Sequence, residues 1–347
     1  MDFSYSKKRD LFVYTYSSDS EKESKMKPLT WAIIGPGAIA QQFAAAQRAL
    51  GRQIYAVGAR DRAKGAAFAQ RYGIERVYDD IPRLLADPQI DAVYIATPHA
   101  SHFGWMKQAL AQGKHLLVEK AITVSSAELD EINRLAAEKQ CVVAEAMTLF
   151  HMPLYHQLQA LIASGRLGKL KTIQVSFGTV KEPDASNRFF NPELAGGALL
   201  DIGTYALSFA RFFLSEQPNQ LCTTVAKFPT GVDEQCGILL QNQQDEMAAI
   251  TLAFRAKMPK RGIVACERGF ITVEDFPRAQ RAQLSWADGT TEIIEAGESA
   301  RALQYEILAL EKFAAEGVNP LHYLTNDVVA LMTDIRQRWG IRFPFES

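Results

Sequence analysis

Residues 31–40 read WAIIGPGAIA, four apolar residues followed by Gly35-Pro36-Gly37-Ala38-Ile39-Ala40. The apolar run suits a buried strand, and a helical stretch follows over 38–50. A G-x-G-x-x-A string between a strand and a helix predicts a dinucleotide site. Gly35 permits the tight turn, Gly37 lets a pyrophosphate approach the backbone, and Ala40 lets helix and strand pack closely. The free N–H groups at the helix start, at Ala38 and Ile39, then face the phosphates. The bland alternative is a glycine-rich turn in an ordinary α/β protein.

The surrounding pattern favours the first reading. Apolar runs at 31–34, 54–59, 92–96, 115–118 and 141–145 alternate with helical stretches at 41–50, 62–72, 81–86, 104–112 and 126–138. Repeated β-α alternation predicts a doubly wound parallel sheet, with ligands at the carboxyl ends of its strands. After a helix at 154–164 the texture changes. Strand candidates succeed one another at 171–177, 221–228, 236–241, 247–255, 263–266, 270–274, 283–286 and 292–295, with Asp288-Gly289 as a hairpin turn. Helices at 301–316 and 326–339 close the chain. The fold class is therefore α/β. An N-terminal dinucleotide domain over 26–148 precedes an α+β domain over 149–347 with a large, mostly antiparallel open sheet. Residues 1–25, rich in Ser, Lys, Tyr and Glu, read as a flexible extension, and Met26 is a candidate natural start.

Composition excludes several classes. A formal net charge of −1 gives no reason to expect nucleic acid or an anionic membrane as partner. No apolar stretch approaches a membrane span. Cys141, Cys222, Cys236 and Cys266 stand far apart without metal-site spacing, so no metal is expected, and reduced thiols point to the cytoplasm.

Four places carry candidate chemistry. The second strand ends Ala59-Arg60-Asp61, where a dinucleotide site that selects NAD commonly has an acidic residue. Ala59 cannot bind a ribose hydroxyl, whereas Arg60 can pair with a 2′-phosphate, so NADP is the expected cofactor. An inward-turned Asp61 would favour NAD instead, and Arg62 and Lys64 read as solvated surface charges. The loop Thr97-Pro98-His99-Ala100-Ser101-His102 follows the next main strand and belongs at the cofactor edge through Thr97, Pro98 and His102. Glu119 and Lys120 end the strand after it, at the mouth of the sheet, where the choice lies between a nicotinamide-side lysine and an exposed one. Finally, Gly196-Gly197-Ala198-Leu199-Leu200-Asp201 opens a helix on which Asp201 and Tyr205, four apart, share a face. A carboxylate and a phenol so arranged can position a hydroxyl-bearing substrate and relay a proton. A helix-start Asp with a core Tyr is the alternative.

Taken in order, the strings GPGAIA (35–40), ATPHASH (96–102), VEKAITVSSAEL (118–129), GGALLDIGTY (196–205) and RQRWGIRFP (336–344) resemble the glucose–fructose oxidoreductase / inositol dehydrogenase / MocA family. The motif set is most similar to the dimeric dihydrodiol dehydrogenase and NADP-dependent xylose dehydrogenase branch. The resemblance implies a Rossmann domain, a substrate domain built on a large sheet, and NAD(P)-dependent redox chemistry on a sugar, polyol or diol. It implies Lys120 as acid/base, with Asp201 and Tyr205 on the substrate side, and a homodimer or higher homo-oligomer. Three positions depart from the family pattern. Ala121 stands where a proline, whose peptide bond adopts cis cheaply, is usual, so a locally different backbone is expected. His99 stands where Asn is frequent, and Phe150 where many relatives carry Arg, so a polar contact is expected to be missing there.

The expected enzyme moves hydride between nicotinamide and a carbon bearing a hydroxyl or carbonyl. Lys120 exchanges the alcohol proton, Tyr205 is the alternative acid/base, and Asp201 orients. A lysine of unperturbed pKa about 10.4 would be lowered by desolvation and by the positive nicotinamide. A non-catalytic NAD(P)-binding regulator of the same fold is the second reading, and an NAD enzyme acting on a cyclic polyol is the third. Apolar residues at both parities of 247–254 predict a sheet buried on both faces, hence a two-fold dimer packed sheet to sheet.

Overall fold

Strand β1 (Trp31–Ile34) is wholly buried at the centre of a parallel sheet. The chain is described by a computed structural model over residues 28–346, so the expected N-terminal extension lies outside the described residues. Five further strands join β1: β2 (Ala56–Gly58), β3 (Arg76–Tyr78), β4 (Ala92–Ile95), β5 (His115–Glu119) and β6 (Val143–Ala146). Their order is β3-β2-β1-β4-β5-β6, all parallel, with the strand order reversing between β1 and β4. That reversal opens the crevice in which such sheets bind ligands. The connecting helices are α1 (Ala38–Ala49), α2 (Arg62–Tyr72), α3 (Ile81–Leu85), α4 (His102–Ala111) and α5 (Ser126–Lys139). Sequence reading missed β3, a three-residue edge strand with no fully buried position, too short to carry a period.

Local chemistry explains where the helices begin and end. Asp61 caps α2 by accepting the Lys64 N–H at 3.1 Å, and Gly73 ends it in the left-handed region. Ser125 caps α5 by accepting the Glu128 N–H, while Glu128 reaches back to the Val124 N–H at 3.1 Å. This is close to a capping box, so the second half of the string VEKAITVSSAEL starts a helix and carries no redox role.

Beyond α6 (Pro153–Ala163) lies the second sheet. Its strands are β7 (Leu170–Gly178), β8 (Gln220–Lys227), β9 (Asp233–Gln241), β10 (Met247–Ala253), β11 (Met258–Cys266), β12 (Gly269–Glu274), β13 (Arg281–Trp286) and β14 (Thr291–Glu295). They run in the order β14-β13-β12-β11-β7-β10-β9-β8, and only the β7–β10 pair is parallel. β11 begins five residues before the expected strand. Pro259, Lys260 and Gly262 hide the pattern there, and the pairing with β7 slips between Met258 and Arg261. The predicted turn at Asp288-Gly289 is present, with Gly289 at φ 88° and the Asp288 carboxylate accepting the Thr290 N–H.

The inner face of this sheet packs on α7 (Thr204–Phe213). Gly262 allows the approach, since any Cβ there would strike the Phe209 ring. Ala248, Ile250, Leu252 and Phe254 all point inward and are buried. Among the described residues no helix covers the outer face.

The last two helices return to the first domain, which a boundary at 148/149 does not anticipate. α8 (Ala302–Glu316) packs on α1, and Glu311 accepts hydrogen bonds from Trp31 Nε1 at 3.1 Å and from Arg52 at 2.6 and 2.7 Å. α9 (His322–Arg338) bridges α5 and α7. The two domains are thereby clamped, and the carboxyl ends of β4 and β5 face the start of α7.

Candidate active site

The G-x-G-x-x-A turn has the form a dinucleotide needs. Gly35 sits at φ 95°, and a Cβ there would lie 2.7 Å from the Ala96 carbonyl oxygen, so no side chain fits. A Cβ on Gly37 would come no nearer than 4.0 Å to any neighbour, so its surface stays open toward the crevice. No side chain caps α1 and its first turn carries no acid, which leaves the Ala38 and Ile39 N–H groups directed outward. Ala40 is fully buried under the turn. At the end of β2, Ala59 is buried and Arg60 is exposed, without an ion pair among the described residues. Asp61 does not turn inward, because its carboxylate is spent on capping α2. Arg62 and Lys64 pair with Asp79 and Asp61 at 3.7 Å, as surface charges do.

Lys120 is at the centre of the second half of the site. Its ammonium donates to the Asp201 carboxylate at 3.0 Å and to the Asp201 carbonyl at 2.5 Å, and it lies 4.8 Å from the centre of the Tyr205 ring. The three residues expected to cooperate are therefore brought together, across the domain junction. Asp201 lies on a π-helical turn, Leu199–Gly203, that runs directly into α7. Asp233, buried on β9, accepts the Leu199 N–H at 2.6 Å and holds the start of that turn.

The Lys120–Ala121 peptide is cis. Three side chains hold this segment. His99 Nε2 lies 3.0 Å from the Lys120 carbonyl oxygen, His102 Nδ1 lies 3.1 Å from that of Ala121, and Glu145 accepts the Ile122 N–H at 3.1 Å. The other His99 nitrogen faces the Ala195 carbonyl, and the other His102 nitrogen faces that of Thr97 at 2.7 Å. His102, expected at the cofactor, is thus fully buried behind the loop, and its ring supports Thr97 from beneath. Burial lowers both histidines, His99 to about 3, with the neighbouring His102 and Lys120 charges adding to the effect. A neutral ring has one N–H and can donate to only one of its two carbonyl neighbours, and both rings pack against main chain. Thr97 and Pro98 remain at the surface of the crevice, and the Thr97 hydroxyl accepts from Ser101 at 2.8 Å.

Charge placement assigns protonation states. Burial raises Asp201, but Lys120 and then Arg188, 3.6 Å away, outweigh it and hold the carboxyl at about 2. Tyr205 is pushed far up, first by burial and then by Glu119, so its phenol keeps its proton. Glu119 accepts a hydrogen bond from Tyr94 and is itself raised by burial. Arg278, from the second domain, is the cation that opposes this acidic group, and it donates to Gln42 of α1 at 2.9 Å. Sequence reading missed Arg188, Arg278, Glu145 and Asp233. The arginines lie on irregular segments, Glu145 read as an ordinary strand residue, and Asp233 fell just before the expected strand at 236–241. Phe150 is buried beside Phe212 and makes no polar contact, as its departure from the family pattern implied.

Comparison with known proteins agrees with this fold. Residues 29–147 match the oxidoreductase family with an NAD-binding Rossmann fold, and residues 155–272 match the GFO/IDH/MocA C-terminal domain. The chain belongs to the GFO/IDH/MocA oxidoreductase family. A trans-1,2-dihydrobenzene-1,2-diol dehydrogenase from Xenopus tropicalis is 30% identical over 70% of this chain and 74% of the relative. One from Macaca fuscata fuscata is 30% identical over 91% and 98%. Among solved structures, a levoglucosan dehydrogenase complexed with NADH and levoglucosan superposes with a TM-score of 0.82 at 19% identity, covering 92% of this chain and 100% of that one. A 3-ketoreductase from Actinomadura kijaniata, complexed with NADP and TDP-benzene, gives 0.80 at 22% identity, covering 90% and 98%. The family member described here is an NAD(P)-dependent oxidoreductase, and the enzyme reading displaces the non-catalytic one. Among the described residues no helix is long and apolar enough to cross a membrane, and no cluster of His, Cys, Asp and Glu could hold a metal ion.

The Asp201 pKa below its unfolded value, about 3.9, sets a pH dependence. The ion pair's contribution is complete above pH 4 and is lost as the pH falls toward 2. Asp201→Asn should lower the unfolding free energy by about 2 kcal/mol at pH 7. The gap to wild type should narrow to about half of that by pH 3, which urea unfolding at pH 7 and pH 3 measures.

Proposed function

We propose that this enzyme uses NADP in preference to NAD and oxidises or reduces a CH–OH carbon of a sugar, polyol or diol, with Lys120 exchanging the hydroxyl proton. The observation that carries the reading is the Lys120 ammonium held between an ionised Asp201 and a protonated Tyr205 at the mouth of the parallel sheet. Bound nicotinamide supplies the hydride acceptor or donor. Asp201 takes two of the ammonium's hydrogens, and the third is free to meet a substrate oxygen. Tyr205, kept as a phenol, suits hydrogen-bond donation to the same oxygen better than proton abstraction. The diol and levoglucosan dehydrogenases among the relatives support the substrate class.

For the cofactor, Gly35, Gly37, Ala38, Ile39 and Ala40 form the turn for the pyrophosphate, while Thr97, Pro98, Glu119 and Lys120 line the edge beside the nicotinamide. Arg60 stands unpaired where a 2′-phosphate would lie. Four free cysteines support a reducing, cytoplasmic location. A homodimer follows from the outer face of the second sheet. That face exposes Leu239, Met247, Phe270 and Ile293 among small residues such as Gly237 and Ala249, around a groove of about 670 Å³. A second copy packed face to face would bury it.

Three measurements test these assignments. Lys120→Ala should keep cofactor binding and lose about 10²–10⁴-fold in turnover, and near-normal turnover would remove Lys120 from the chemistry. Arg60→Ala should weaken NADP by about tenfold or more while leaving NAD nearly unchanged, read from both dissociation constants. Light scattering should return twice 38.5 kDa, and the monomer mass would exclude the dimer.

A further inference from the structure

Three cations that the hydride and proton chemistry leaves unused stand around Asp201. Arg188 Nη2 lies 3.6 Å from the Asp201 oxygen that Lys120 also contacts. Lys181 lies 3.8 Å from the centre of the Phe189 ring, and the Arg188 guanidinium stands 4.3 Å from the same ring. Lys260 of β11 lies 5.3 Å from the centre of Phe177, whose ring neighbours Tyr205. Among the described residues Lys181 and Lys260 have no ion-pair partner. Lys181 feels burial first, then attraction from Asp201 and repulsion from Arg188, Lys120 and Lys260. Among the described residues the loop acids Glu182 and Asp184 form no ion pair with these cations: both are exposed, and Asp184 accepts from the Ser186 N–H and hydroxyl.

Lys120 and Arg188 pair with Asp201, Lys181 feels the same carboxylate, and Lys260 adds its charge beside Lys181, so cations outnumber the one carboxylate here. Part of that repulsion is met by the aromatic faces beside the ammonium and guanidinium groups. Water screens part of the remainder, since Arg188 is 54% exposed, and a bound oxyanion would relieve more of it. A neutral diol would leave the field standing, whereas an oxyanion would accept charge-assisted hydrogen bonds from all three groups. It would also be drawn into the cleft by the same field.

We propose that the substrate carries a carboxylate or phosphate on its sugar or polyol chain, held by Lys181, Arg188 and Lys260 while the reacting carbon lies at Lys120. This rests on reading Lys120, Asp201 and Tyr205 as the reacting end. The oxyanion site is a separate set of side chains on the 179–190 loop and β11, away from the cofactor turn at α1.

The test uses the NADP-loaded full chain and matched pairs: D-gluconate against D-glucitol, and glucose 6-phosphate against glucose. Calorimetric binding and appearance of reduced nicotinamide are followed in parallel. At least one charged member should bind about tenfold or more tighter than its neutral twin, and the pair showing this preference separates carboxylate from phosphate. The preference should shrink at high salt. Lys181→Gln/Arg188→Gln should remove most of it, and Lys260→Gln part of it, with circular dichroism unchanged, while Arg188→Lys retains a fraction. Equal binding of both members, no binding of any, or a preference that survives the double variant overturns the inference. Preferential anion binding without reduced nicotinamide supports it while removing the proposed chemistry. Turnover of neutral sugars without anion preference does the reverse.

Discussion

One ion pair joins the two domains where the chemistry is expected: Lys120 at the end of β5 and Asp201 at the start of α7. Each depends on support from its own side. The Lys120 segment is held by His99, His102 and Glu145 through its backbone, and the Asp201 turn is held by Asp233 through the Leu199 N–H. These supporting groups are directed at main chain, so the backbone that carries each of the two side chains is held on its own side. Low exposure of both side chains strengthens the interaction compared with a surface pair.

Burial has opposite effects on the acids and the histidines around this pair. Glu145 is pushed up to about 7 by burial, despite the Ile122 N–H and the Thr325 hydroxyl that favour its ionised form. Glu306 is raised further, with burial first and the neighbouring Glu119 second. The histidines His99, His102, His151 and His156 are lowered instead, in each case by burial first. The first domain thus offers the site few ionised groups of its own beyond Lys120. The charged side chains facing the substrate crevice come mostly from the second domain, as Asp201, Arg188, Lys181 and Lys260.

The fold sets this division. The parallel sheet aims the ends of β1, β4 and β5 at one crevice, and α8 and α9 return from the far end of the chain to lock the second domain over it. The second sheet has its inner face filled by α7, while among the described residues no helix covers its outer face.

Much of this was legible in the sequence because it is local. The strand–GPGAIA–helix succession, the β-α alternation, the hairpin at Asp288-Gly289 and the change to successive strands all follow from periodicity and turn chemistry within a few residues. Lys120, Asp201 and Tyr205 could be singled out by their positions at element ends and by family resemblance. Their meeting could not, because Lys120 and Asp201 are far apart in the chain and only the packing of the two domains decides the distance. The same holds for His102, which as a loop residue suggested cofactor contact, and for His99: packing sets both against main chain. Helices α8 and α9 read correctly as helices, yet their return to the first domain rests on Glu311 meeting Trp31 and Arg52, a long-range contact with no local signal. Arg188 and Lys181 lie on an irregular segment whose sequence has no period. Only the tertiary structure stacks both on Phe189 beside Asp201, because charge clustering is a property of space and not of spacing along the chain.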